Sequence, residues 1–190
     1  MTMKKNLRPD TWLYPQPVLV IGSYDAKGVA NGMVAAWGGI YDTDRVGFML
    51  DHTHKTVANL LEKKAFTVSM ATVSTMAQSD YLGVVSGNKV PDKVERAGLH
   101  AVRSGTVDAP VFDEFPLTLE CRVAKADKVG EDYYFIGNIV NILADEDIFT
   151  DGRIDVKKLG VITFDPANGK YIALGDTVGN AYREGRKYMK

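Results

Sequence analysis

A single cysteine, Cys121, stands among 190 residues. That excludes an intrachain disulfide and any zinc site built mainly from thiolates, and it fits a reducing compartment. Neither sign of charge is in excess: 23 Lys plus Arg against 24 Asp plus Glu leave a formal net charge of −1, with no long block of one sign. The bulk electrostatic footprint of a nucleic-acid or anionic-membrane binder is therefore missing. No stretch approaches the roughly 18 consecutive apolar residues of a membrane span. The stretch from Met1 to Trp12 carries Lys4, Lys5 and Arg8 without the apolar core and cleavage site of a secretory signal. The expectation is a cytoplasmic protein with no nucleic-acid or membrane partner.

Familiar catalytic signatures are missing as well. The chain has no G-x-G-x-x-G after a strand, no G-x-x-x-x-G-K-[ST], no H-E-x-x-H and no G-x-S-x-G, which argues against a Rossmann dehydrogenase, a P-loop enzyme and an α/β-hydrolase. Only three histidines are present. His52 and His54 share a face if they lie on a strand, but Asp51 then faces the other way and only His100 is left. A zinc site needs at least three converging ligands. No metal is expected, and the pair is read as surface or phosphate-facing histidines.

What remains describes one domain, residues 1–190, long enough to bury about 70% of the extended chain's surface without a metal or disulfide. Val18–Tyr24 is short, β-branched and apolar, and Asp25–Gly28 supplies turn residues behind it. Val29–Tyr41, a second turn and Val46–Asp51 follow at the spacing of a three-stranded meander. Val57, Leu60 and Leu61 after Thr56 predict a helix ending in Lys63 and Lys64, and Ala65–Ala71 returns to strand composition. Thr75 and Gln78 stand at capping-box spacing before a second short helix stopped by Ser86-Gly87, and Asp92 with Glu95 predicts a helical turn or two before Gly98. Leu117–Asp127 and Tyr133–Asp145 form the clearest hairpin. Val161–Phe164 and Tyr171–Leu174 are short strands, and Asn180–Lys190 is expected to close the chain as a helix. Strand-rich hairpins with a few short helices predict a closed or nearly closed antiparallel barrel, because closure removes exposed edges.

Three segments bear on chemistry. Asn31–Trp37, N-G-M-V-A-A-W, sets small side chains beside a tryptophan. Either a planar heteroaromatic ring lies along its backbone amides, or the small residues fill a crowded barrel corner. Lys55 and Thr56 at a helix start suit a phosphate, through the N-terminal amides and a point charge, or serve as an ordinary cap beside a solvated lysine. Ser86, Gly87 and Lys93 likewise read as part of an anion site or as a helix cap and polar loop.

Taken in order, Tyr14–Gly39, His54–Ala71, Ser79–Lys93, Glu95–Leu99, the A-P…F-P-L-T-L-E-C strand, Y-x-x-G-x-I-V-x-I and Tyr171–Tyr182 resemble the flavin reductase-like family, FMN-binding split-barrel proteins that include flavoredoxin-type members. The resemblance implies a mainly β fold with short helices: a six-stranded, antiparallel split β-barrel of Greek-key character, working as a homodimer with FMN near the subunit interface. It implies that Asn31, Met33, Val34, Ala35, Ala36 and Trp37 line the flavin ring. His54, Lys55 and Thr56 would hold the phosphate, and Ser86, Gly87 and Lys93 would close the site. Many relatives carry an arginine before the threonine; here His52, His54 and Lys55 occupy that loop, and a lysine offers a point charge instead of a bidentate fork. The implied activity is hydride transfer from NADH or NADPH to the flavin and electron delivery to a small-molecule or protein acceptor. The alternative is a flavoredoxin-like electron carrier with little NAD(P)H activity. No catalytic side chain is needed, since the flavin carries the chemistry, with Lys93 or main-chain donors offsetting negative charge on the reduced ring. Cys121 is read as a buried small hydrophobe.

Overall fold

The computed structural model describes residues 2–189. In chain order, β1 (Gln16–Pro17) leads into β2 (Leu19–Tyr24), which turns back as β3 (Ala30–Ala35). The turn is set by Asp25, whose Oδ1 accepts from the amides of Lys27 and Val29, and by Gly28 at a φ of 79°, a conformation that favours glycine. β4 (Gly38–Asp42) and β5 (Arg45–Leu50) form the next hairpin, and α1 (Lys55–Lys63) leads to β6 (Ala65–Met70). The helices α2 (Met76–Val84) and α3 (Lys93–Arg96) precede a small hairpin, β7 (Ala101–Arg103) with β8 (Pro110–Phe112). The long hairpin pairs β9 (Leu117–Val129) with β10 (Asp132–Ala144). Beyond it lie β11 (Phe149–Thr150), β12 (Arg153–Ile154), α4 (Val156–Leu159), β13 (Ile162–Asp165) and β14 (Lys170–Ala173).

The main sheet runs β3-β2-β6-β9-β10-β5-β4, antiparallel throughout. Its two edge strands, β3 and β4, are consecutive in the chain. The run Val29–Tyr41, read from sequence as one strand of a meander, instead breaks at Ala36 and Trp37 and passes from one sheet edge to the other. Gly38 permits this, because a Cβ there would lie 2.5 Å from Phe48 Cβ and 2.7 Å from the Gly47 carbonyl. Counting the bent run once gives six strands and a split barrel. The crossover from β5 to β6 carries α1 across one end of the barrel, where Val57 and Leu60 join Ile21, Phe48, Phe66, Val68, Cys121 and Phe135 in the interior. A second apolar cluster outside the sheet joins Val18, Val20, Leu82, Val94, Phe112 and Ile162, so α2, α3 and β13 cover the outer face of β2 and β3. Among the described residues no helix is long and apolar enough to cross a membrane.

Other local expectations are revised. Thr75 marks the start of α2 but does not cap it: its hydroxyl accepts from the Thr72 amide at 3.0 Å. The expected closing helix is only a short 3-10 segment, Glu184–Tyr188, with no buried residue. Tyr182 and Tyr188 are 97% and 80% exposed, so the segment gains no apolar packing against the other described residues to extend it. Met1 and Lys190, which the one-domain and closing-helix expectations include, lie outside the described residues.

Gly137 sits at a register shift of the β9–β10 pair, where a Cβ would fall 2.2 Å from the Phe66 ring. Gly137→Ala is expected to lower the unfolding free energy by about 1–3 kcal/mol through overpacking. Urea denaturation measures it, and an unchanged midpoint would contradict the tight ring–backbone contact.

Candidate functional site

The site begins with the way α1 is tied down. Its apolar positions face the barrel, and its polar residues at positions 55, 56 and 59 meet the β2–β3 hairpin. Lys55 Nζ contacts Asp25 Oδ2 at 2.9 Å, Asn31 Nδ2 donates to Thr56 Oγ1 at 2.9 Å, and Asn59 Nδ2 donates to Ser23 Oγ at 3.0 Å. Ser23 and Asn31 are cross-strand partners, so two facing hairpin positions hold two turns of helix. Burial pushes the Asp25 carboxyl up, but hydrogen bonds from Lys55 and from the Val29 and Lys27 amides outweigh it and hold the group below the usual carboxylate range. Asp25 is thus ionised and pairs its charge with Lys55.

The N-terminus of α1 is left open. His54 occupies the cap position without a side-chain capping bond, and the first turn holds no acidic residue. The Val57 amide is taken by the His54 carbonyl at 3.0 Å, and the start of α1, with the positive end of its dipole, borders a cavity of about 200 Å³ whose wall includes Asn31, His54, Lys55, Thr56, Ser86 and Gly87. The Thr56 hydroxyl accepts from Asn31 and keeps its own proton to donate. Gly87 is required by close approach: a Cβ there would lie 2.3 Å from Asn31 Oδ1 and 3.2 Å from Lys55 Cδ. Asn88 Nδ2 donates to the Thr53 carbonyl at 3.0 Å and fastens this loop to the start of α1.

Lys93 borders the same cavity but has a structural task. It is 2% exposed, and its Nζ donates to the carbonyls of Leu82 at 3.0 Å and Val85 at 2.7 Å. These are carbonyls at the C-terminal end of α2, so the ammonium caps that helix and stabilises the loop behind it. Desolvation lowers its pKa from 10.5 to about 8.

A second cavity of about 220 Å³ adjoins the first, and Val34, Gly83 and Val84 line both. Its wall is apolar, with Val18, Ala36, Phe164 and Tyr171; the Tyr171 hydroxyl donates to Asp80 Oδ1 at 2.8 Å. Together the two form a cleft with a donor-rich end and a flat, apolar end. That arrangement suits an elongated ligand with an anionic group at one end and a planar group at the other.

Asn31, Met33, Val34, His54, Lys55, Thr56, Ser86, Gly87 and Lys93 all border the first cavity and Ala36 the second. Ala35 points into the barrel core, and Trp37 stands 62% exposed outside both. Sequence reasoning missed Val18, between β1 and β2, and Asp80, Phe164 and Tyr171, which come from α2, β13 and β14. The histidine geometry is corrected. His52 and His54 lie in the turn before α1, and Asp51 does not face away: His52 Nδ1 is 3.8 Å from Asp51 Oδ1 and 3.3 Å from Asp132 Oδ1. The turn abolishes the strand alternation on which that reading depended. Asp51 is already bonded by the Thr53 amide at 2.8 Å and its hydroxyl at 2.6 Å. Cys121 is fully buried, and desolvation with the nearby Glu120 charge pushes its thiol up to about 12.

Comparison with known proteins adds a family. A family model described as a flavin reductase like domain matches residues 12–158. The structure of flavoredoxin from Desulfovibrio vulgaris (Miyazaki F) is 32% identical with a TM-score of 0.91, covering 96% of this chain and 100% of that one. A flavoredoxin from Methanosarcina acetivorans is 27% identical with a TM-score of 0.90, covering 99% and 100%. An uncharacterised protein of Aeropyrum pernix is 26% identical over 128 residues, which cover 66% of this chain and 48% of that protein. The chain thus spans about half the length of this curated relative.

Because the folded pKa of Lys93 lies below its unfolded value, the folded state holds fewer protons between pH 8 and 10.5, and this group makes stability rise with pH across that window. Lys93→Met is expected to abolish that rise. The wild-type-minus-variant difference in unfolding free energy should climb by on the order of 3 kcal/mol from pH 8 to 10.5. Parallel stability curves in urea titrations would contradict the buried, charged lysine.

Proposed function

From the premise that this chain belongs to the flavin reductase-like family, we propose that it is an FMN-binding oxidoreductase that takes hydride from NADH or NADPH and passes electrons to a small-molecule or protein acceptor. The observation that carries the reading is the two-ended cleft, with an uncapped helix N-terminus, Lys55 and Thr56 at one end and the β3 backbone with apolar walls at the other.

The residues present fit the group. Every group offered by Lys55, the Thr56 hydroxyl and the first turn of α1 is a donor, as a phosphate requires. Gly87 leaves room against Asn31 and Lys55 that any side chain would fill. Asn31, Met33, Val34 and Ala36 would border the ring, mostly through main-chain groups, while Ala35 has only its backbone to offer and Trp37 lies outside both cavities. His54, Ser86 and Gly87 would enclose the phosphate end. Bound FMN supplies the redox chemistry, so the chain needs no acid–base dyad of its own. The protein's part is to hold the phosphate, exclude water along Val34 and Val84, and keep positive charge near the ring; Lys93 contributes its remaining N–H to that field. Homodimerisation is part of the reading: Trp37, Ile40 and Tyr41 are 62%, 72% and 52% exposed on and beside the edge strand β4, an apolar edge suited to a second copy. Operation in the cytoplasm completes the proposal.

A second reading, a flavoredoxin-like carrier that exchanges electrons with proteins and barely reacts with nicotinamide, is favoured by the two flavoredoxin structures. Steady-state oxidation of NADH and NADPH in the presence of FMN separates them: turnover supports the reductase, and its absence with FMN bound supports the carrier. The double substitution Lys55→Ala with Thr56→Ala is expected to weaken FMN binding by about 2–4 kcal/mol, from charge-assisted hydrogen bonds that are not strictly additive. Fluorescence titration reads the loss, and unchanged affinity would refute the phosphate site.

A further inference from the structure

A depression of about 530 Å³ lies at the opposite end of α1 from the cleft, and its lining includes Lys63, Lys64, Arg103, Thr106, Asp108 and Arg122. Eight residues of helix, about 12 Å at the rise of an α-helix, separate Lys63 from Lys55. The four cations arrive from three parts of the chain: the C-terminal end of α1, β7 and β9. One carboxylate, Asp108, serves two of them, with Arg103 Nη2 at 2.9 Å and Lys63 Nζ at 3.5 Å. Arg122 Nη2 donates to a neutral group, the Thr106 carbonyl, at 3.1 Å.

Complementing the negative end of the α1 dipole accounts for Lys63 and Lys64. It does not account for Arg103 and Arg122, which converge on residues 104–108 from outside the helix. Four cations stand against the lining carboxylate of Asp108 and the buried Glu120 carboxylate that Ser104 bonds, which leaves positive charge in local excess, and the loop between the arginines is held by hydrogen bonds. Ser104 Oγ accepts from the Thr106 and Val107 amides at 2.9 Å each and donates to the fully buried Glu120, whose other oxygen accepts from Asn141 Nδ2 at 2.5 Å. Burial pushes the Glu120 carboxyl up, but the Ser104, Asn141 and Thr106 hydrogen bonds outweigh it and keep it ionised.

We propose that this depression binds a small polyanion bearing a diphosphate group. Each guanidinium keeps donors beyond the Nη2 spent on Asp108 or Thr106, two lysines add point charges, and the volume is that of a small-ligand pocket. Convergence in one concavity, instead of along a stripe, fits a compact anion better than a nucleic-acid backbone. The site is independent of the proposed flavin chemistry.

Isothermal titration of the full chain with inorganic pyrophosphate and, separately, with ADP, at low ionic strength and with excess FMN present, tests it. Binding should persist beside FMN, and Arg103→Gln with Arg122→Gln should weaken it about tenfold or more, with Lys64→Gln weakening it less. Both arginines are exposed, and thermal unfolding of the variants verifies that they fold. Equal affinity for the two probes assigns recognition to the phosphates alone; tighter ADP binding identifies a nucleotide. No binding of either probe, displacement by FMN, or wild-type affinity in the double variant would overturn the proposal.

Discussion

The cleft depends on three polar ties between α1 and the β2–β3 hairpin: Lys55 to Asp25, Thr56 to Asn31, and Asn59 to Ser23. Their net contribution is modest, about 0.5–1.5 kcal/mol for a typical neutral hydrogen bond, but the Thr56–Asn31 and Asn59–Ser23 partners are buried, so losing one side strands the other without water, while the Lys55–Asp25 pair is only partly exposed. That asymmetry fixes the helix in one place across the barrel end. The start of the helix then borders the cleft instead of bulk solvent. Apolar packing of Val57 and Leu60 alone would bury the helix; the hydrogen bonds give it a rotation.

Charge in the cleft is distributed in the same sparing way. Lys55 is shared with Asp25, and Lys93 spends two of its three donors on the carbonyls of α2. Neither lysine is a free surface cation. An anion entering here therefore meets oriented donors whose positions are already determined, which lowers the reorganisation that binding requires. The proposed function accounts for the missing catalytic triad in the same way: a chain that held a redox cofactor would need placement and field, and the sequence motifs of nucleophilic or metal catalysis would have no task.

Much of the barrel was legible because its strands alternate or run apolar and are bounded by turn residues, as in Asp25–Gly28 and in the β9–β10 hairpin. The break at Ala36–Trp37 was not, since nothing local marks it; it follows from Gly38 lying against Phe48, a partner on β5 reached only when the sheet curls. Lys55, Thr56, Ser86 and Gly87 could be singled out as a helix start and a helix stop, although their meeting across the cleft is a product of topology. Phe164 and Tyr171 were legible as strand residues but not as part of the cleft, because their hairpin is placed by β13 pairing with β1 at the other end of the chain. The structural role of Lys93 was equally hidden: the acceptors are main-chain carbonyls, which every residue has.

The reading of the cleft as a flavin site is tested most directly by the visible absorption spectrum of freshly purified protein, together with the fluorescence of FMN added to it. A bound flavin band, or quenching of added FMN that saturates at one equivalent per chain, is the predicted result. A colourless protein that leaves FMN emission unchanged even in large excess would contradict it.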